Sequence, residues 1–110
     1  MLQAGQGTII YTGATASLRG SAGFANLSIP KFGLRALAQT VAKEFGPQNI
    51  HVVHTIVDGI IGSEKTKAWV SDPSKTLDPE ALSDEYVRLT RQPKSAWTHE
   101  LDYRPFSEKF

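Results

Sequence analysis

The 110-residue sequence contains no cysteine, which excludes disulfide bonds and thiolate metal sites within the chain. Its apolar runs are short, and none approaches the roughly 18 residues that a membrane-spanning helix needs. Neither sign of charge is in excess, since 12 lysine and arginine residues are interspersed with 11 aspartate and glutamate residues. These absences argue against nucleic-acid and membrane partners, and they favour a cytoplasmic protein.

Two apolar runs that flank a long amphipathic segment predict a parallel strand, helix, strand unit. The first run, Thr8 to Thr12, is β-branched or aromatic throughout and lies between two glycines, which is typical of a strand buried on both faces. Ile50 to Val57 predicts the second strand. Asn26 to Phe45 predicts the helix between them, with Asn26 or Ser28 as its N-cap.

The second half of the sequence predicts further elements that cover or extend the sheet. Asp78 is the expected N-cap of a second amphipathic helix, and the alternation from Thr98 to Tyr103 predicts a third strand. Phe106 and Phe110 are expected to dock as apolar anchors. Because no repeat or linker divides the sequence, we predict one α/β domain over residues 1–110.

The segment from Gly13 to Gly23 is small and glycine-rich, and it joins the first strand to the helix. Such a segment is either a plain connection or a place where the backbone approaches a ligand. Ligands of parallel α/β sheets bind beyond the carboxyl ends of the strands. Lys31, early in the helix, is therefore a candidate for binding a nucleotide or a carbonyl substrate, although a surface lysine is the commoner explanation.

Other polar residues give weaker indications. His51 and His54 are three apart on a strand, so their side chains point to opposite faces and do not share a metal ion; we expect solvated or packed histidines and no metal site. Glu100 and Asp102 share a strand face and are assigned to the surface. The segment GATAS lacks the Gly-x-Ser-x-Gly elbow of a serine hydrolase, which argues against that class.

Three motifs carry a resemblance to a known family: GTIIYTGATASLRG, GFANLSIPKFGLRALAQT and GPQNIHV. Together they resemble the C-terminal half of a short-chain dehydrogenase/reductase, in particular a divergent subgroup with a TGATASLRG turn. The resemblance implies a partial doubly wound, Rossmann-like parallel sheet of about three strands with covering helices. It also implies an NAD- or NADP-dependent oxidoreductase that acts on an alcohol or carbonyl substrate.

The resemblance assigns catalytic positions in and after the turn. Lys31 falls on the family's catalytic lysine, which binds the nicotinamide ribose and lowers the pKa of a tyrosine four residues before it. Leu27 occupies that tyrosine position, and Ala14 occupies the position of the family's serine. Thr12 and Thr15 flank Ala14 and are the substitute hydroxyls that the sequence offers.

Five residues are implied in cofactor binding by the same resemblance: Lys31, Gly13, Gly59, Ile61 and Ser63. The family's glycine-rich phosphate turn is expected before residue 1, so the chain is expected to be a truncated product or a fragment that is inactive alone. Two alternatives stay open, which are a full enzyme variant that uses Thr12 or Thr15, and a non-enzymatic βαβ module that self-associates. In either case the helix from Asn26 to Phe45 predicts a homo-oligomer, because it corresponds to the family's subunit interface.

Overall fold

A computed structural model describes residues 1–108, so the expected docking of Phe110 lies outside the described residues. The helices and strands, in chain order, are β1 (Gly7–Gly13), α1 (Ala25–Phe45), β2 (Ile50–Val57), β3 (Ile60–Ile61), β4 (Thr76–Leu77), α2 (Pro79–Thr90) and β5 (Glu100–Tyr103). Short 3-10 turns connect several of them, including one at Thr15–Ser17 directly after β1.

The main sheet has three parallel strands in the order β1, β2, β5. In its register Gly7 lies opposite Ile50 and Gly13 opposite Ile56, so β1 and β2 end at the same level. β3 and β4 form a separate parallel pair beyond the end of β2. The chain is thus α/β with a partial Rossmann-like sheet, and the prediction of about three strands with covering helices is confirmed.

The core is centred on β2, which is buried from Ile50 to Ile56 because it is paired on both sides. Neighbouring residues of a strand point to opposite faces. His54 connects through hydrogen bonds towards α1, whereas Thr55 bonds to Tyr86 of α2. The two helices therefore cover opposite faces of the sheet.

β1 is less buried than its sequence predicts. Thr8 to Tyr11 are half-buried and Thr12 is exposed, so the prediction of a strand buried on both faces is wrong. Within residues 1–108, β1 pairs with β2 alone and forms the outer strand of the sheet. An outer strand has fewer neighbours to cover its side chains, and its free edge presents unpaired backbone groups.

Helix α1 begins earlier than predicted. The N-cap position is held by Phe24, without a side-chain hydrogen bond, so the predicted caps Asn26 and Ser28 are wrong. Both residues lie inside the first turn, where a side chain no longer caps the first amides. Pro30 lies in the second turn, which leaves the carbonyl of Asn26 without its usual amide donor.

Helix α2 and the tail follow the prediction in part. The Asp78 carboxylate accepts a hydrogen bond from the Ala81 amide at 3.2 Å, which confirms the predicted N-cap. Phe106 is 89% exposed, so its predicted docking is wrong. The tail is held instead by buried Pro105 and by the Ser107 hydroxyl, which donates to the carbonyl of Ser74. No helix within residues 1–108 combines the length and the apolar character needed to cross a membrane.

Candidate functional site

Lys31 lies at the carboxyl end of β1, where the sequence places it. Its Nζ donates a hydrogen bond to the carbonyl oxygen of Thr12 at 3.0 Å. The side chain is half-buried, and an ammonium group has three N–H donors in total. The lysine is therefore positioned by the strand end and keeps the chemistry needed to bind hydroxyl oxygens.

The two positions expected to carry a proton relay hold groups that transfer no proton. Leu27, one helical turn before Lys31, is 41% exposed. Ala14 begins the turn after β1, and its amide donates to the Ser17 hydroxyl at 3.1 Å. Thr15 lines, with Asp58 and others, a cavity of about 240 Å³. Lys31 is not among the described residues that line this cavity.

Thr12 belongs to a hydroxyl cluster that the sequence did not indicate. Its Oγ1 lies 2.7 Å from Tyr86 Oη, and the same phenol lies 2.7 Å from Thr55 Oγ1. Tyr86 can donate to one threonine while it accepts from the other. It was missed because a tyrosine on the apolar side of α2 is typical of packing, and because Thr12 and Tyr86 are 74 residues apart.

A second cluster lies on the opposite face of the sheet and runs from α1 to the turn. Arg35 donates to Glu100 through Nε at 2.8 Å and through Nη2 at 3.0 Å. Glu100 Oε1 lies 2.8 Å from His54 Nδ1, and His54 Nε2 lies 3.3 Å from Ser17 Oγ. His54 and Ser17 have no exposed surface. The four side chains therefore form one continuous hydrogen-bonded line, which we call the buried polar relay.

Glu100 corrects the sequence-based assignment to the surface. It is half-buried because β5 pairs with β2 so that Glu100 lies opposite His54, and α1 carries Arg35 over the pair. Hydrogen bonding to Arg35 holds the pKa of Glu100 below its usual value, with burial opposing this effect and His54 adding to it. Asp102, on the same strand face, is exposed as predicted. His51 and His54 are both packed in the interior, and the alternative of solvated histidines is wrong.

The residues implied in cofactor binding after β2 lie apart from Lys31. Gly59 has φ 146° and faces Pro105, and Ile61 belongs to the β3 and β4 pair. The Ser63 hydroxyl lies 3.1 Å from that of Thr66. Ser63 lines a cavity of about 400 Å³ between β4 and the loop after β3, and Lys31 is not among the described residues that line it.

The described part of the chain contains no cluster of side chains suited to binding a metal ion. Residues 1–108 contain no group of three histidine, aspartate or glutamate side chains arranged to hold an ion. The histidine of the buried polar relay bonds to its glutamate, and the glutamate also accepts from Arg35.

Comparisons with known proteins agree on one family. Residues 1–74 match the short chain dehydrogenase family. The chain is similar to a solved short-chain dehydrogenase from Rhodopseudomonas palustris, with 47% sequence identity and a TM-score of 0.78 over 96% of this chain and 42% of that chain. This chain spans less than half the length of that relative.

Two further solved structures share the fold at lower identity. The L-sorbose reductase of Gluconobacter frateurii, complexed with NADPH and L-sorbose, has 20% identity and a TM-score of 0.75 over 96% of this chain and 48% of that chain. A metagenomic short-chain oxidoreductase in complex with NADP has 24% identity and a TM-score of 0.67 over 96% of this chain and 42% of that chain. The family match extends over more than half of the sequence, and the fold is that of the family's solved members. The chain therefore belongs to the short chain dehydrogenase family.

Proposed function

We propose that this chain carries the ribose-binding side of an NAD(P)-dependent oxidoreductase that acts on an alcohol or carbonyl substrate, in the divergent subgroup with the TGATASLRG turn. The observation that carries the proposal is Lys31, whose ammonium is anchored to the Thr12 carbonyl at the carboxyl end of β1. That end of a parallel sheet is where ligands bind. Two relatives with the same fold are complexed with NADPH or NADP.

The described residues fit a nicotinamide cofactor in part. Lys31 fits, because its N–H donors suit the vicinal hydroxyls of a ribose and its side chain is accessible. Gly13 and Ser63 do not join it, since the space beside Gly13 is filled by His54 and Ser17, and Ser63 bonds to Thr66 in a separate cavity. When bound, the cofactor would supply the hydride, and the chain's own contribution is the binding and orientation of the ribose by Lys31.

We further propose that the chain does not turn over substrate by itself. Leu27 and Ala14 remove the phenol and the hydroxyl on which the family's proton transfer depends. Thr12 keeps a hydroxyl, but that group is bonded to Tyr86 on the sheet face opposite α1, whereas Lys31 reaches Thr12 only at its backbone. General acid catalysis needs the proton donor within hydrogen-bond reach of the reacting oxygen, with a suitable pKa.

Saturation-transfer NMR with reduced cofactor tests the role of Lys31, because the method detects weak binding. We expect transfer from the wild-type chain to the ribose protons next to the nicotinamide, and a signal at least about fivefold weaker in Lys31→Ala, since a hydrogen bond from a charged donor is lost. Lys43→Ala is the matched control, as Lys43 is an exposed lysine in the last turn of the same helix. Equal transfer in Lys31→Ala and the wild-type chain would contradict the proposal.

A non-enzymatic, self-associating module is the second candidate, and the surface of α1 favours it. Phe24, Leu27, Ile29, Phe32 and Leu37 are each between 41% and 73% exposed. Ile29 and Phe32 also line an open groove of about 550 Å³ with the glycines before the helix. Soluble monomers seldom expose a run of large apolar side chains on one helix. We propose that a second copy of the chain covers the surface around Ile29 and Phe32 in a homo-oligomer.

A further inference from the structure

The buried polar relay ends beneath the turn after β1, and the proposed binding of a cofactor does not use it. Its fully buried members, His54 and Ser17, contribute nothing to the surface of the chain. Buried polar side chains are tolerated when their hydrogen bonds are satisfied, and such groups fix the geometry around them. The relay is therefore expected to hold nearby backbone in a fixed position.

Nucleophilic catalysis is excluded by the burial of Ser17. Serine, histidine and glutamate here follow the order of a hydrolase triad, with the His54 ring between Ser17 Oγ and Glu100 Oε1. A nucleophile must reach its substrate, however, and Ser17 is 0% exposed. Its oxygen also accepts a hydrogen bond from the Ala14 amide. The hydroxyl therefore faces the protein's own backbone.

The partners of each atom set the direction of the hydrogen bonds along the relay. Glu100 is bound by two Arg35 donors and acts as an ionised acceptor, so His54 Nδ1 must carry the proton in that contact. In the neutral ring Nε2 is then an acceptor, and it accepts a hydrogen bond from the Ser17 hydroxyl. The Ser17 oxygen keeps its lone pairs for the Ala14 amide. Each hydrogen bond from Arg35 to the Ala14 amide thus joins one donor to one acceptor.

The far end of the relay holds one of the two peptide groups beside Gly13, and Lys31 holds the other. The carbonyl before Gly13 belongs to Thr12 and accepts from Lys31, and the amide after it belongs to Ala14 and donates to Ser17. A Cβ atom at Gly13 would overlap His54 Nε2 and Ser17 Oγ. The backbone at this point is thus held on both sides and contacted from below.

We propose that Ser17 and His54 are positioning residues that fix the peptide groups around Gly13 relative to Lys31, with Glu100 and Arg35 as their anchor. Arg35 follows Lys31 by one helical turn, so a single side of α1 carries both attachments to the turn. The relay is a property of the chain itself. Its contribution to catalysis, which would be to keep the turn after β1 in a fixed geometry beside the substrate, rests on the proposed function.

Amide hydrogen exchange of the full chain, measured by NMR without cofactor, tests this assignment. We expect the Ala14 amide to exchange about three- to tenfold faster in Ser17→Ala than in the wild-type chain, relative to the core residue Val53, because the hydroxyl acceptor is lost. Ser21→Ala makes the same chemical change at an exposed serine and should leave the ratio unchanged. An unchanged ratio in Ser17→Ala would overturn the proposal, whereas a uniform acceleration at Ala14 and Val53 would show a loss of global stability alone and overturn it as well.

The wild-type chain offers an independent measurement that requires no variant to fold. Nitrogen-15 chemical shifts distinguish the two neutral forms of a histidine ring, and we expect the form with the proton on Nδ1 for His54 at neutral pH. A proton on Nε2 alone would leave Nδ1 and the Glu100 carboxylate as two acceptors facing each other, which would break the relay at Glu100 and overturn the proposal. Because no cofactor is present in either experiment, failure here leaves the cofactor-binding test of Lys31 unaffected, and failure of that test leaves the relay standing.

Discussion

Gly13 lies where the backbone packs closely against two buried side chains. A Cβ added there would overlap His54 Nε2 and Ser17 Oγ, and its neighbours Thr12 and Ala14 are each held by a side-chain hydrogen bond. The glycine is needed here for space, since it is among the buried residues and its backbone is ordinary strand. A side chain of any size must displace one of the two polar groups.

Gly13→Ala is therefore expected to lower the free energy of unfolding by about 1 to 3 kcal/mol, the usual effect of overpacking a buried site. Urea unfolding followed by circular dichroism measures this change. Gly20→Ala is the matched control, because a Cβ at Gly20 meets nothing within 4 Å. A Gly13→Ala variant as stable as Gly20→Ala would contradict the close packing of His54 and Ser17 against the backbone.

Glu100 contributes to the packing of whole elements, because its one carboxylate connects a helix and two strands. It lies on β5, bonds to His54 of β2 and to Arg35 of α1, and so ties the helix to two neighbouring strands of the sheet. Arg35 holds the pKa of Glu100 below its usual value. A carboxyl with a lowered pKa in the folded state stabilises the fold wherever it is ionised.

Glu100→Gln is expected to lower the free energy of unfolding by about 1 to 3 kcal/mol at neutral pH, since charged hydrogen bonds to Arg35 and His54 are lost. The difference from the wild-type chain should be fully present above the unfolded-state pKa of about 4.3, and should disappear as the pH falls through the lower folded-state pKa. Urea unfolding of both chains from about pH 3 to about pH 7, a range that includes the unfolded-state pKa, measures this difference. Glu44→Gln, at an exposed position on α1, is the control, and a pH-independent difference in Glu100→Gln would contradict the ion pair.

Most helices and strands can be predicted from the sequence, whereas the hydrogen bonds between side chains of different elements cannot. Ile50 to Val57 was predicted with the observed bounds, because its apolar run stops at Asp58-Gly59, and Asp78 caps α2 as a local rule requires. The role of Glu100 depends on which residue of β2 lies opposite it, and that register joins residues 46 apart. Such pairing is a property of the assembled sheet, so no local pattern indicates the buried polar relay.

At the scale of the whole molecule, the described chain leaves two apolar or unpaired surfaces open. β1 has one paired edge within residues 1–108, and α1 exposes Ile29 and Phe32 beside an open groove. Both features favour association with a second protein surface. Burying a large apolar side chain contributes about 1.5 to 3 kcal/mol, so a few such residues are enough to drive dimerisation.

Sedimentation velocity tests the proposed homo-oligomer directly. We expect the wild-type chain to sediment as an oligomer at micromolar concentration, and Phe32→Glu to weaken association at least about tenfold because it would bury an unpaired charge. Val87→Glu places the same charge at an exposed apolar position of α2 and should leave association unchanged. A wild-type chain that is monomeric at all concentrations would refute the self-association proposal.

The spacing of Lys31 and Arg35 on α1 has a mechanical consequence. A helix moves as a rigid rod over a few turns. Helix α1 is attached to the sheet at two points, directly through Lys31 and Thr12, and indirectly through Arg35, which bonds to Glu100 and so to His54. Another side of the same rod exposes Ile29 and Phe32 to whatever packs there. A contact that rotates or shifts α1 would therefore displace both peptide groups beside Gly13 together. Binding at the exposed side of the helix would in this way change the geometry of the turn.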